Sequence, residues 1–312
     1  MPSFILTHTS KILEALELST NEDSLALTKE PTVLVNDNDL ISLQTRPSIS
    51  EYAKEIWLRR HFIMAHARSQ SLQDGQGMYL GRLWIILNPI LQIVVYGVLF
   101  GLILKTSRGM DNFIGFLTIG VVFFGMLGRG LTQGNRLIQS SRNLIGAFTF
   151  PRAVLVFSAA CKQTINDIAP ACAAVIGAVL FQLDSPLHVT VLLVIPLFIL
   201  IQIFNLGMVF IISKTTAFVP DFKGIVTIIQ RGLFYFSGVF YDVSRFADVP
   251  VLREIMLANP FYQFLNAVRG CVLDGSAPST ETWAYLSAWS FTIAVAGFIY
   301  FWSSEEKYAS VK

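Results

Sequence analysis

Residues 78–92 read MYLGRLWIILNPILQ, and they lead into a run, residues 83–104, without a single charged side chain. That run is 22 residues long, and a helix of about 20 apolar residues crosses the hydrocarbon core of a bilayer. Several further apolar runs of similar length follow it. The sequence therefore indicates a polytopic helical membrane protein.

The composition supports this class. Of 312 residues, 53% are hydrophobic and only 14% are charged, which is too little charge to solvate a soluble protein of this size. The net charge of +2 gives no indication of nucleic-acid binding. The three cysteines form no CxxC pair, so we interpret them as small hydrophobic residues and predict no metal site.

We predict an all-α fold with six transmembrane helices. The six apolar segments are residues 83–104, about 113–131, a stretch within 153–183, 187–213, about 225–241 and 283–302. On the assumption that the N-terminus is cytoplasmic, 13 basic residues flank the spans on the inner side and 5 on the outer side. This positive-inside bias predicts that both termini are cytoplasmic.

The segments before the first span differ from it. Residues 1–48 are polar and predict a cytoplasmic, largely disordered tail. Within residues 49–82, apolar side chains recur at helical spacing opposite charged ones, which predicts an amphipathic helix too polar to span. Its predicted apolar face consists of Tyr52, Ala53, Ile56, Trp57, Ile63 and Met64. We expect it to lie in the headgroup layer, with packing on a soluble partner as the alternative.

Two connections within residues 83–312 are too apolar for plain loops. Residues 133–152 mix apolar and basic side chains and predict a short helix that lies across the cytoplasmic face and contacts a soluble partner. Residues 242–282 contain two apolar helical stretches, about 250–258 and 261–273, separated by Asn259-Pro260. Each is too short to span, so both are predicted to be re-entrant external helices, either a gate or a cap on the bundle.

Ionisable groups inside a span are costly and often functional. Lys162 and Asp167, five residues apart, form either a structural ion pair, with Lys162 reaching towards the headgroups, or part of a substrate path. Arg231 is placed to reach the inner headgroups or a polyanionic substrate there. Aromatic rings suit the apolar faces of sugars, so a subset of the span aromatics is a candidate glycan track.

Three motifs in this order resemble the membrane subunit of polysaccharide ABC exporters of the type-2 permease class, the group that handles O-antigen, teichoic acid and actinobacterial galactan. They are YLGRLW at 79–84 with NP at 88–89, NLI at 143–145 with FPR at 150–152, and NP at 259–260 followed by Arg269 and Gly275. The stretches LFGLILKTSRGMDNFIGFLTIGV (99–121) and FYFSGVFYDV (234–243) are most similar to the actinobacterial galactan exporter. The tail before residue 49 departs from the shorter family members.

The resemblance implies a transport subunit of the bacterial plasma membrane that moves a polyprenyl-diphosphate-linked galactan. It also implies a second copy of the chain and a separate ABC ATPase in two copies, which binds ATP and Mg. This chain itself has no GxxxxGK[ST] motif and is expected to bind no cofactor.

The implied site residues fall into four groups. The ATPase coupling helix comprises Arg142, Asn143, Leu144, Ile145, Phe148, Phe150 and Pro151. The cytoplasmic entrance comprises Trp57, Arg59, Arg60, Arg82 and Trp84. The glycan path comprises Tyr96, Phe100, Phe123, Phe124, Phe234, Tyr235, Phe240 and Tyr241. The external gate comprises Asn259, Pro260, Phe261 and Arg269.

Within the entrance, Arg82 is the candidate contact for the substrate's diphosphate, with ordinary anchoring at the inner face as its alternative. Two alternatives to the function also stay open at this point. One is a permease of the same fold that exports a drug or a small lipid. The other is an integral-membrane glycosyltransferase that uses external acids, for which the candidates are Asp242, Asp248, Glu254 and Asp274.

Overall fold

The computed structural model describes residues 47–74, 81–103, 112–148, 150–182, 188–243 and 249–310, without the side chains of Arg82, Leu102, Ala309 and Ser310. The predicted tail, apart from residues 47 and 48, lies outside the described residues, as do Asp248 and the residues at 79 and 80.

The described residues are helical and contain no strand, as predicted. The helices are α1 Ile49–Leu58, α2 Arg60–Gln73, α3 Trp84–Tyr96, α4 Phe113–Gln133, α5 Leu137–Ser140, α6 Arg142–Ala147, α7 Ala153–Leu180, α8 Val194–Phe218, α9 Phe222–Phe236, α10 Pro250–Leu257, α11 Pro260–Val272 and α12 Thr280–Trp302. A π-helical segment, Gly97–Ile103, continues α3. Short 3-10 turns precede α3 and α8 and follow α12, the last at Glu305–Ser310.

Five described helices are long and apolar enough to cross a membrane: Trp84–Gly101, Phe113–Gln133, Ala153–Leu180, Val189–Phe218 and Thr280–Trp302. The predicted fifth crossing, residues 225–241, corresponds to α9, which has only 15 residues. At about 1.5 Å per residue, α9 is about 22 Å long, shorter than a hydrocarbon core of about 30 Å. The count of six crossings therefore stays a prediction.

The direction of the helices supports a sixth passage. Gly207 of α8 lies so close to α12 that a Cβ there would meet the Ile293 carbonyl at 2.5 Å. Seven residues later, the Lys214 ammonium donates to the Tyr300 carbonyl at 2.8 Å. The two helices are therefore parallel, and the chain between them has to return from one end of the bundle to the other. Among the described helices of that stretch, α9 is the longest and begins directly after α8.

The amphipathic segment is helical but its buried face differs from the prediction. Arg59 interrupts it and divides it into α1 and α2. Tyr52, Ile56 and Ile63 are buried against the bundle, whereas Ala53, Trp57 and Met64 are exposed. The buried positions, continued by Ala67, are spaced by four, seven and four residues and form one stripe. The predicted apolar face was thus too wide, because Ala53, Trp57 and Met64 are not buried against the rest of the protein.

Candidate functional site: a polar cavity between four helices

A cavity of about 810 Å³ lies between α3, α4, α7 and α9. Prolines shape two of its walls, since Pro89 lies inside α3 and Pro170 inside α7. A proline cannot donate to the carbonyl four residues earlier. Those carbonyls belong to Ile85 and Asn166, which also line the cavity. The two walls therefore present backbone acceptors as well as polar side chains.

Charged and amide groups form the polar side of the cavity. Arg129 of α4 forms an ion pair with Asp167 of α7, which is fully buried. Asp167 also accepts hydrogen bonds from the Gln163 amide at 2.8 Å and the Gln202 amide at 3.2 Å. Arg231 of α9 lines the same cavity and is exposed. The bundle thus contains two arginines and one carboxylate around a single space.

The predicted ion pair between Lys162 and Asp167 is wrong. The Lys162 ammonium pairs instead with Asp74, at the end of α2, at 2.8 Å. Asn166 donates to the same carboxylate at 2.8 Å and accepts from the Ser71 hydroxyl at 2.6 Å. This cluster fixes the end of α2 to the middle of α7. Residues five apart point to different sides of a helix, which explains why each finds a different partner.

Aromatic rings also line the cavity. Four of the eight predicted path residues line it, namely Tyr96, Phe124, Phe234 and Tyr235. Phe100 and Phe240 lie next to these four, stacked on each other with ring centroids 4.1 Å apart, and Phe240 also contacts Tyr96 and Phe234.

The other two predicted path residues have different surroundings. Phe123 is completely buried in the core, so it does not line this cavity. The Tyr241 hydroxyl donates to the carbonyl of Tyr235. Phe123 was predicted together with its neighbour Phe124, but consecutive residues on a helix point in different directions.

The predicted entrance residues do not form one group. Trp84 lines the cavity together with Asn88 and Pro89. The side chain of Arg82 lies outside the described structure. Trp57, Arg59 and Arg60 lie on the amphipathic segment, and none of them lines the cavity. Trp57 is 68% exposed, and the Arg60 guanidinium lies over its ring at 5.3 Å.

The two stretches predicted to be external helices are helical, and Asn259 caps the second by accepting a hydrogen bond from the Phe261 amide at 3.0 Å. Pro260 begins α11, and Phe261 is buried against Phe124. Arg269 is 4% exposed and lies over the Phe116 ring at 3.4 Å.

The Arg269 guanidinium donates to three backbone carbonyls, those of Phe116 at 3.3 Å, Gly238 at 2.8 Å and Val239 at 3.0 Å. It therefore fixes α11 to α4 and to the turn after α9. Its predicted part in gating is not tested by this geometry.

Comparison with known proteins identifies the chain. Residues 63–273 match the family described as ABC-2 type transporter, which is more than half of the sequence. The chain belongs to this family. It is 24% identical over 258 residues to the O-antigen export system permease protein RfbA of Myxococcus xanthus, covering 82% of this chain and 97% of that protein. It is 23% identical over 236 residues to the protein of the same name from Klebsiella pneumoniae, covering 74% and 87%.

As an ABC-2 permease, the protein is a multi-pass membrane subunit of a transporter and works with an ABC ATPase. Subunits of this kind are not enzymes, which confirms that prediction and excludes the glycosyltransferase alternative.

The segment of the permease that was predicted to contact the ATPase consists of α5 and α6. Arg142, Asn143 and Phe148 are exposed, the last to 64%. Leu144 and Ile145 are half-buried against the permease itself. Phe150 and Pro151 are buried, so these two cannot form part of an exposed contact surface, contrary to the prediction. They anchor the segment because they lead directly into α7.

Sequence reasoning missed a buried network at this end of the permease. The Tyr52 hydroxyl donates to the Glu305 carboxylate at 2.6 Å and accepts from the Ala153 amide at 3.1 Å. The other carboxylate oxygen accepts from the Arg152 amide at 2.7 Å and from its guanidinium at 3.3 Å. Burial and the negative charge of Glu305 raise the pKa of Tyr52, which stays a donor at physiological pH.

The network joins α1, α7 and the segment after α12. Tyr52 is 101 residues from Ala153 and 253 residues from Glu305 in the sequence, so no local spacing could reveal the network. The one sequence signal was the position of Glu305, an acid directly after an uncharged span.

Proposed function

We propose that this ABC-2 permease exports a polyprenyl-diphosphate-linked polysaccharide, with a cell-wall galactan as the cargo, across the bacterial plasma membrane. The observation that carries the proposal is the cavity between α3, α4, α7 and α9, whose lining combines aromatic rings with amide and charged groups inside a membrane bundle. Sugars present apolar CH faces and hydroxyl groups together, and such a lining suits both. The printed names of the two relatives, O-antigen export permeases, support a polysaccharide cargo.

The proposal includes a second copy of the chain and two ABC ATPase subunits. The cavity is bordered by α3 and α9, whose residues are all exposed or half-buried apart from Val226. A second copy placed against these helices would complete the walls of a path. Exposed Phe148 and Arg142 support α5 and α6 as the ATPase contact, with both termini cytoplasmic.

The cytoplasmic entrance lies at the start of α3 in this account. Arg82 attracts the diphosphate of the lipid carrier there, and the exposed bases and Trp57 of α1 and α2 hold the amphipathic segment in the anionic headgroup layer. The paired helices α10 and α11 close the outer end.

The test is controlled depletion of the permease in its native host. Lipid-linked glycan should accumulate on the inner leaflet while its synthesis continues, and plasmid-borne permease should restore its normal location. Unchanged glycan location during depletion contradicts the proposal. Loss of resistance to a drug with normal glycan location would favour the alternative of a drug or small-lipid exporter.

A further inference from the structure

The Arg129 guanidinium has binding capacity that its ion pair does not use. One terminal nitrogen bonds Asp167, whereas the other forms no hydrogen bond among the described residues. The side chain is 35% exposed and lines the cavity. An arginine offers five N–H donors in a planar fork, so one carboxylate contact leaves an edge for a second anion.

Asp167 is held so firmly that it acts as a fixed counter-ion. It is completely buried, and it accepts from two amide side chains in addition to Arg129. Its negative charge therefore stays in place whether or not Arg129 turns towards a ligand. Asp167 both orients Arg129 and reduces the attraction that this arginine exerts on other anions.

The helices that carry Arg129 and Arg231 pack closely beside the cavity. A Cβ on Gly128 of α4 would lie 2.7 Å from the side-chain nitrogen of Gln230 of α9, so the two helices are in contact here. Gly128 and Gln230 directly precede Arg129 and Arg231 in the sequence. Arg231 lines the cavity and forms no ion pair among the described residues. The contacting helices α4 and α9 thus give the cavity two guanidinium groups.

We propose that Arg129 and Arg231 bind a diphosphate group inside the bundle, and that Asp167 keeps this binding weak enough for release. A diphosphate carries several acceptor oxygens and matches two arginine forks better than a single carboxylate does. Two cations against one fixed anion leave a net positive cavity that is screened little by salt. This inference rests on the proposed function, and it assigns the diphosphate a site beyond the entrance.

Binding without ATP tests the site separately from export. The purified permease–ATPase complex in nanodiscs is titrated with farnesyl diphosphate, a short polyprenyl diphosphate, and with inorganic pyrophosphate. Arg129→Gln and Arg231→Gln should each weaken farnesyl diphosphate binding by about tenfold or more, the effect of losing one charge-assisted contact. Arg68→Gln, which removes an exposed arginine of α2, should leave binding unchanged.

The Asp167→Asn variant distinguishes a counter-ion from a purely structural residue by whether farnesyl diphosphate binding becomes tighter or weaker. It should tighten farnesyl diphosphate binding several-fold and slow export, because the counter-ion that favours release is lost. A purely structural Asp167 predicts the opposite, weaker binding together with lower thermal stability. If Asp167→Asn does not fold, the double variant Arg129→Gln/Asp167→Asn replaces it, because it removes both charges of the pair. Arg231→Gln changes an exposed side chain, and its effect on farnesyl diphosphate binding still tests whether the cavity binds the diphosphate.

Two outcomes overturn the inference and leave the proposed function intact. One is farnesyl diphosphate binding that neither arginine variant changes, in a complex whose depletion still mislocates the glycan. The other is equal binding of pyrophosphate and farnesyl diphosphate, which would show a site for free diphosphate rather than for a lipid headgroup. Normal glycan location on depletion would instead contradict the proposed function itself.

Discussion

At the residue level, Arg269 carries a buried positive charge whose hydrogen bonds all go to backbone carbonyls, among the described contacts. The carbonyls of Gly238 and Val239 lie in the turn after α9 and that of Phe116 lies in α4, so one side chain joins two separate parts of the chain. The flat guanidinium reaches all three at once and stacks on Phe116. A lysine ammonium offers neither the fork nor the stacking surface.

Arg269→Lys should therefore destabilise the permease by about 3 kcal/mol, because buried acceptors lose their donors. Thermal unfolding in detergent measures this, with Arg253→Lys on the exposed face of α10 as the matched control. An unchanged melting temperature for Arg269→Lys would show that the three carbonyls do not depend on the fork.

Tyr52→Phe tests the network at the other end of the bundle. Without the hydroxyl, a Glu305 oxygen and the Ala153 amide lose a partner in a buried site, which should cost about 2 kcal/mol. Tyr300→Phe, at an exposed ring, is the control and should cost little.

The pKa of Tyr52 is raised above its ordinary value of 10, so the hydroxyl's contribution is complete below pH 10 and is lost only at higher pH. Burial raises the pKa of Glu305, so the comparison belongs well above the ordinary range of a carboxyl, and the Tyr52→Phe penalty should be equal at pH 8 and pH 9. A penalty that changes between these two pH values would contradict the role assigned to the hydroxyl.

These residues show what sequence patterns can and cannot predict. The two short helices predicted at about 250–258 and 261–273 were predictable, and they run Pro250–Leu257 and Pro260–Val272. The partners of Lys162 and Asp167 were not, since each is chosen by helices that are distant in sequence. The helical spacing of apolar residues also does not distinguish Tyr52, which is buried in the protein, from Trp57, which is exposed.

At the level of elements, α6 and the residues after it divide into a contact surface and an anchor. Phe148 is exposed and Phe150 is buried, although both were predicted as one coupling group. Phe148→Ser should reduce co-purification of the ATPase and leave the melting temperature of the isolated permease unchanged. Phe150→Ala should lower the melting temperature instead, by a loss of about 3 kcal/mol for a large buried ring.

The reverse pattern, with Phe150→Ala affecting only the ATPase and Phe148→Ser only stability, would contradict the assignment. Ile145→Ser serves as an intermediate case, because this side chain is half-buried and should affect both measurements weakly.

The short helix α9 decides the topology. If it completes a sixth crossing, the exposed Ser140 and Ser276 lie on opposite sides of the membrane. In a variant without Cys161, Cys172 and Cys271, Ser276→Cys should react with an impermeant maleimide in intact cells, and Ser140→Cys should react only after the cells are opened. Labelling of both in intact cells would contradict six crossings with cytoplasmic termini.

At the level of the whole molecule, the class of a helical multi-pass membrane protein was predictable from apolar length and composition, and the helices and the family match confirm it. The cavity was not predictable in its full extent. Its walls combine residues from four helices, and each wall alone resembles an ordinary span. Which of the aromatics line it depends on helix rotation, which sequences with nearly uniform apolar faces do not define.

The central claim is that this cavity carries a lipid-linked polysaccharide across the membrane. The most direct measurement uses proteoliposomes that contain the permease and its ATPase in inside-out orientation, with lipid-linked galactan in the outer leaflet and an impermeant galactosidase outside. The account predicts that ATP protects the glycan from digestion, and that Tyr96→Ala/Phe234→Ala abolishes this protection while the complex stays assembled. Glycan that stays equally digestible with and without ATP would contradict it.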